Sequence, residues 1–425
     1  MNRYGIKAFW HRFIKAFGNG QLREKLRRRL WRFGPLIACH RRRVARSFPV
    51  VPNRVLFVTS SYSCTCNPKA IAQELARRRP DVDIVWLLDD ASYRACGGRP
   101  ETGRAVRRWT WDAYREMATS HVLVENSHFL VSLGNPEKRP GQFCMNTWHG
   151  SLGIKRLDAG RSATTGLGEK NAAQVDALLS NSDFDDAVFA ESPLAAAPRV
   201  RTGHPRNDVF FLDEEKKSVI RRKVYAALGL PETTRLALVA PTFRDDALTE
   251  GANFYDFEGW KKALEDRFGG SWTLVLRLHP LDARALAEGL ISFPRGVANA
   301  TDYPDMQELL IAADAGITAY SSWIYDYLLG GRPGFIFAPD KQAYDDSHGF
   351  YYPLESTPFP VAETNADLCA RIRSFDAEKF AREREAFLSG KGCMEDGHAS
   401  ERAVDVILKW ISSRSVQKSM QVSRP

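Results

Sequence analysis

Four segments of the chain put groups able to bind or move phosphate where an apolar run ends. Asn146-Thr147-Trp148-His149-Gly150 closes the run that begins at Phe143. Ala240-Pro241-Thr242-Phe243-Arg244-Asp245-Asp246 closes Leu236–Ala240, and Arg277-Leu278-His279-Pro280 closes Thr273–Leu276. Thr318-Ala319-Tyr320-Ser321-Ser322 leads into a helical segment at Trp323. This last arrangement offers two hydroxyls and uncommitted backbone N–H groups at a helix start, which suits a phosphate. Arg277, Arg244 and His279 would add cationic or hydrogen-bonding contacts to the same anion. An imidazole titrates near physiological pH, so His149 would accept the proton of an attacking hydroxyl. Each group also has an ordinary use. Ser321 or Ser322 would cap a helix, Arg244 would pair with Asp245 or Asp246, His279 would be a buried histidine before Pro280, and His149 a turn residue. Four such ends in succession favour a phosphorylated ligand.

These ends need a frame that brings them together. From Val50 onward, short apolar or β-branched runs alternate with helical segments. Strands are expected at Arg54–Thr59, Asp83–Leu88, His121–Val124, Phe143–Trp148, Ala177–Ser180 and Arg199–Thr202. A second series follows at Leu236–Ala240, Thr273–Leu278, Val297–Asn299, Ala315–Thr318 and Gly334–Phe337. Helices between them include Pro68–Arg79, Asp183–Glu191, Lys216–Leu228 and Ser322–Leu329, with a closing helix at Ser400–Ile411. Such alternation predicts parallel sheets with helices on both faces, and two series predict two Rossmann-like, doubly wound α/β domains. Their expected bounds are 49–212 and 213–413, with a tail at 414–425. Ligands of open α/β sheets bind beyond the carboxyl ends of the strands, where the four segments stand.

Charge singles out the start of the chain. Residues 1–48 hold 14 Lys and Arg against one acid, Glu24, and so carry +13, whereas the whole chain carries +9. The remainder is mildly acidic, which argues against a nucleic-acid face. On a helical wheel Ile6, Phe9, Trp10, Phe13, Ile14 and Phe17 share one arc, with Lys7, His11, Arg12 and Lys15 opposite. Leu22, Leu26, Leu30 and Phe33 repeat the stripe among arginines. Residues 1–48 are therefore expected to form a basic amphipathic helical leader that binds an anionic membrane surface. The other use of such a pattern is a helical pair packed on the body of the protein. No stretch reaches the roughly 18 apolar residues that a membrane-spanning helix needs. Seven irregularly spaced cysteines fit reduced thiols rather than a disulfide framework. Phosphate-loop and dinucleotide glycine motifs are absent, as are paired zinc spacings, so neither a metal nor another cofactor is expected.

Taken together, several short segments carry a resemblance. Asn67-Pro68-Lys69, Asn146-Thr147-Trp148-His149-Gly150 and Thr202-Gly203-His204-Pro205-Arg206-Asn207-Asp208 come first. Ala240–Asp246, Arg277-Leu278-His279, Ser321-Ser322, Gly349-Phe350-Tyr351 and Asp396-Gly397-His398-Ala399-Ser400-Glu401-Arg402 follow. In this order they resemble the CDP-glycerol glycerophosphotransferase family of teichoic-acid and capsule enzymes. The resemblance implies a GT-B fold, two domains facing a cleft, with no obligatory metal. It implies transfer of glycerol phosphate, or a related polyol phosphate, from a CDP-alcohol to a hydroxyl of a lipid-linked or polymeric cell-envelope glycan. CMP would be released at the cytoplasmic face of the membrane. His149 and His279 are then the catalytic candidates, and Arg244, Arg277, Ser321 and Ser322 the donor-phosphate ligands. Asn67, Lys69, Arg206, Asp208, Thr242 and Tyr351 are further cleft candidates. The sequence departs from the family at Ala319, His204 and His348, which leaves the donor polyol open. Two other readings share the fold: a GT-B glycosyltransferase using a nucleotide-sugar, and a non-catalytic nucleotide-binding scaffold at the membrane.

Overall fold

The computed structural model describes residues 39–127, 138–153, 156, 172–242, 255–279 and 292–422, with Ala283, Leu286 and Glu288 between the last two stretches. Arg244 and residues 1–38 of the expected leader lie outside the described residues.

The first sheet is built from β1 (Val51–Val58), β2 (Asp83–Leu88), β3 (Arg104–Arg107), β4 (Ser120–Glu125), β5 (Phe143–Asn146), β6 (Ala177–Ser180) and β7 (Arg199–Arg201). Their order is β3-β2-β1-β4-β5-β6-β7. The second is built from β8 (Arg235–Val239), β9 (Trp272–Leu276), β10 (Ala298–Asn299), β11 (Ala315–Thr318), β12 (Gly334–Phe337) and β13 (Val361–Ala362). Their order is β10-β9-β8-β11-β12-β13. The pairings from β3 through β6, and all those of the second sheet, are parallel. In both sheets the chain winds outward from its first strand and then returns to that strand's other side. Switch points therefore lie between β1 and β4 and between β8 and β11.

The local sequence accounts for most of these elements. β2 is buried from Ile84 to Leu88 and β8 from Leu236 to Val239, as expected of parallel strands covered on both faces. Helices between strands begin at polar side chains. Thr110 accepts from the Ala113 N–H, Ser182 from Asp185 and Asp213 from Lys216, satisfying donors that a helix start leaves open. Two strands escape the apolar pattern. β3 has a single buried residue, Val106, and β13 is only two residues long. The closing helix runs from Ala399 to Val422, beyond the apolar spacing at 400–411.

The described residues form two compact units. One draws on the described residues within 1–148, 169–179 and 401–425, the other on those within 149–168 and 180–400. The core of the first includes Leu56, Val85, Leu87, Met117, Leu123 and Cys144. The end of the chain joins this unit: Trp410 packs on Phe143 with centroids 5.1 Å apart, and Arg78 pairs with Asp405 at 2.7 Å. The core of the second unit gathers Leu238, Trp260, Val275, Ile317, Tyr325 and Phe335.

Candidate functional site

In the second sheet Val239 of β8 stands beside Leu276 of β9 on one side and Ile317 of β11 on the other. Adjacent strands lie about 4.8 Å apart, so residues just beyond these ends share one edge. They are Arg277 and His279 after β9, Thr242 after β8, and Ser321 and Ser322 after β11. Backbone bonds extend the pairing, with Arg277 N–H donating to the Val239 carbonyl at 2.9 Å and Ala240 N–H to Ile317 at 3.1 Å. The Thr242 hydroxyl accepts from the Tyr320 N–H at 3.0 Å, which ties the β8 and β11 loops together at the switch point. Ser322 precedes the helix Trp323–Leu328 without a side-chain capping bond, so its hydroxyl is not used as a cap. Arg277 is partly buried. Its Nη1 donates to the Met306 sulfur at 3.1 Å and its Nη2 to the Pro304 carbonyl at 3.4 Å. Burial lowers its pKa and the Asp305 carboxylate opposes that shift. His279 is exposed.

The segment around His149 is held on either side of that residue. In the first unit, the buried Asn67 amide donates to the carbonyls of Thr147 at 2.8 Å and Trp148 at 3.2 Å. Asn146 Oδ1 accepts from the Trp148 N–H at 2.8 Å, and Trp148 has a φ of 52°, a conformation that a bulky residue adopts only when its surroundings impose it. Lys69, partly buried, lies on the same helix as Asn67. In the second unit, Arg206 Nη2 donates to the Gly150 carbonyl at 3.2 Å. His149 itself is exposed. Asp208 accepts from the N–H groups of Ala399 at 2.9 Å and Ser400 at 2.7 Å, so it caps the closing helix. Tyr351 stands edge-on to Phe184, with centroids 5.5 Å apart.

Sequence reasoning missed the carboxylates beneath this segment. Arg206 meets Asp326 in a two-pronged pair at 2.8 and 3.2 Å, with side chains only 4% and 3% exposed. Glu395 accepts from Asn181 at 2.9 Å, Asn207 at 3.0 Å and the His204 N–H at 3.1 Å. Asp185 Oδ2 lies 3.6 Å from His204 Nε2. One signal was available: Asp326 is the lone acid in the apolar run Trp323-Ile324-Tyr325-Asp326-Tyr327-Leu328. Burial pushes the carboxyls of Asp185 and Glu395 up to about 7 and holds His204 well below the ordinary histidine value.

A pH dependence of stability follows. A carboxyl whose native pKa exceeds its unfolded one holds its proton more tightly in the folded state. Its contribution is complete below about pH 4 and is lost as the pH rises through 7. Glu395→Gln never ionises and serves as reference. Between pH 8 and pH 6 the native protein should gain about 1 kcal/mol on that variant, read from urea unfolding at the two pH values. A difference that stays constant would show that Glu395 ionises as it does in the unfolded chain.

Comparison with known proteins gives this geometry its context. The family model described as CDP-Glycerol:Poly(glycerophosphate) glycerophosphotransferase matches residues 40–409. The chain belongs to this family. It is 26% identical over 385 residues to the teichoic acid poly(glycerol phosphate) polymerase of Bacillus subtilis, covering 86% of this chain and 50% of that protein. It is 26% identical over 376 residues to the polymerase of the same name from Bacillus spizizenii, covering 84% of this chain and 92% of that one. It is 28% identical over 388 residues to the teichoic acid glycerol-phosphate transferase of Staphylococcus aureus, covering 84% and 94%. The chain thus spans half of the first relative and nearly all of the other two. The solved wall teichoic acid polymerase TagF shares the fold, with a TM-score of 0.73 over 91% of this chain and 98% of that chain at 24% identity. His149, Thr242, Arg277, His279, Ser321 and Ser322 all fall within the stretch matched by the glycerophosphotransferase model. Membership favours a glycerophosphotransferase-type enzyme over the nucleotide-sugar and scaffold readings.

Proposed function

We propose that this chain transfers glycerol phosphate, or a related polyol phosphate, from a CDP-alcohol to a hydroxyl of a lipid-linked or polymeric cell-envelope glycan and releases CMP. The observation that carries this is that Thr242 and Ser321 follow β8 and β11, the strands flanking the switch point of the second sheet, and Arg277 follows the adjoining β9, in a chain that matches the family over residues 40–409. The acceptor oxygen attacks the phosphorus bearing the polyol. The new P–O bond forms as the bond to CMP breaks, and the acceptor proton passes to His149. Charge gathers on the CMP phosphate as it leaves, and cationic and hydrogen-bonding groups at the strand ends are suited to stabilise it. His279 belongs to the same edge as a second catalytic candidate. Arg277 holds the donor diphosphate with the Ser321 and Ser322 hydroxyls, and Arg244 is proposed alongside them.

The finer fold reading, a GT-B pair of doubly wound domains, is part of the proposal. The matching strand orders of the two sheets support it. So is peripheral attachment to the cytoplasmic face of the membrane through residues 1–48, supported by their +13 charge. Sedimentation with anionic vesicles tests the attachment, and equal recovery with neutral vesicles would overturn its electrostatic basis. Among the described residues no helix is long and apolar enough to cross a membrane.

The deciding experiment incubates the protein with CDP-glycerol, other CDP-alcohols and nucleotide-sugars, with lipid-linked acceptor, and identifies the nucleotide released. CMP from a CDP-alcohol supports the transferase. A nucleoside diphosphate from a nucleotide-sugar overturns it. Arg277→Ala should weaken CDP-glycerol binding by about tenfold to a hundredfold, because a charge-assisted hydrogen bond contributes roughly 1.5–3 kcal/mol. Calorimetric titration checks this, and unchanged affinity would remove Arg277 from the donor site.

A further inference from the structure

We propose that Arg206 is a positioning residue for His149, acting through the backbone that follows it; this rests on the reading of His149 as the base. Three consecutive residues after His149 are gripped. The Gly150 carbonyl accepts from Arg206 Nη2 at 3.2 Å, and the Ser151 hydroxyl accepts from the Asn181 amide at 2.9 Å. Leu152 is 1% exposed, has a φ of 43°, and its carbonyl accepts from the Tyr352 hydroxyl. Left-handed backbone at a leucine persists only where the surroundings over-determine it. Arg206 is the one charged side chain among these donors, and its own geometry is set from behind. Asp326 takes both prongs of its guanidinium, and Asp326 is fixed in turn by the amides of Asn207 and Gln307, each at 3.1 Å. The buried fork therefore has little freedom, and the carbonyl it holds belongs to the residue next to the proposed base. A general base displaced by about 1 Å forfeits on the order of a hundredfold in rate. A lysine carries the charge but lacks the planar fork that meets a carboxylate and a carbonyl together.

The test compares Arg206→Lys and Ser151→Ala, each made in the native protein and in His149→Ala, with CMP release as the assay. Ser151→Ala removes one grip without disturbing a buried charge, so it answers the question should Arg206→Lys fail to fold. The expected result is a tenfold to hundredfold loss of kcat for Arg206→Lys and a severalfold loss for Ser151→Ala, with KM for CDP-glycerol changed less than threefold. Both losses should shrink below twofold in the His149→Ala background, because groups that act through one another are not additive. Equal losses in the two backgrounds would overturn the inference and leave the base reading intact. Unchanged turnover in His149→Ala alone would overturn the base reading and this inference with it.

Discussion

Replacing His149 by alanine should lower turnover with CDP-glycerol by about 10²–10⁴-fold, the range that general-base help usually supplies. The donor's binding energy is proposed to reside at the strand ends of the second sheet, with Arg277, Ser321 and Ser322. His149 sits elsewhere in the chain, past the end of β5, and would touch the acceptor hydroxyl. Donor affinity, measured by calorimetry without acceptor, should therefore change little. The loss should also ease at high pH, where a larger fraction of an alkoxide-forming acceptor reacts without a base. Donor binding abolished with turnover preserved at saturation would assign His149 to the donor instead. The exposed position of His149 suits this role, because a group that exchanges protons with substrate and solvent must be reachable by both.

The second large effect concerns stability. Asp326→Ala should destabilise the fold by about 3–5 kcal/mol, because it leaves the Arg206 guanidinium buried without its counter-charge. The Gln307 amide loses its Asp326 acceptor as well, and the Asn207 amide keeps only Glu395. Typical domains are stable by only about 5–15 kcal/mol, so the variant should unfold at markedly lower urea. Asp326→Asn keeps an acceptor and should cost less. Joint replacement, Arg206→Met with Asp326→Leu, should recover much of the lost stability, because two apolar side chains need no charge compensation. Urea unfolding of the three variants measures all of this. A loss below 1 kcal/mol for Asp326→Ala would mean that water reaches the site and solvates the arginine. If the double variant regains stability yet keeps the kcat deficit, folding and positioning are separate contributions of the same pair.

The sequence by itself determined the alternation of strands and helices. Buried parallel strands are short apolar runs, and many of the helices announce their start with a capping side chain, so both signals are local. β2, β6, β11 and β12 lie where those runs stand. β3 was illegible because arginines bracket its one buried residue, Val106, and β13 because two residues are too few to stand out as an apolar run. The candidate site residues were placed by the same signal, since Arg277, Thr242 and Ser321 come within three residues of the ends of their strands. Their meeting at one edge was decided by strand order, which places β8 between β9 and β11. Tertiary structure alone assigned the other residues their partners. Arg206 and Asp326 are 120 residues apart, and Asp208 caps a helix 191 residues further on. The closing helix returns to the first unit although it follows the whole of the second. No local pattern encodes such pairs. They exist because burying a charge or a helix end is costly until a partner arrives, and the partner can come from anywhere in the chain.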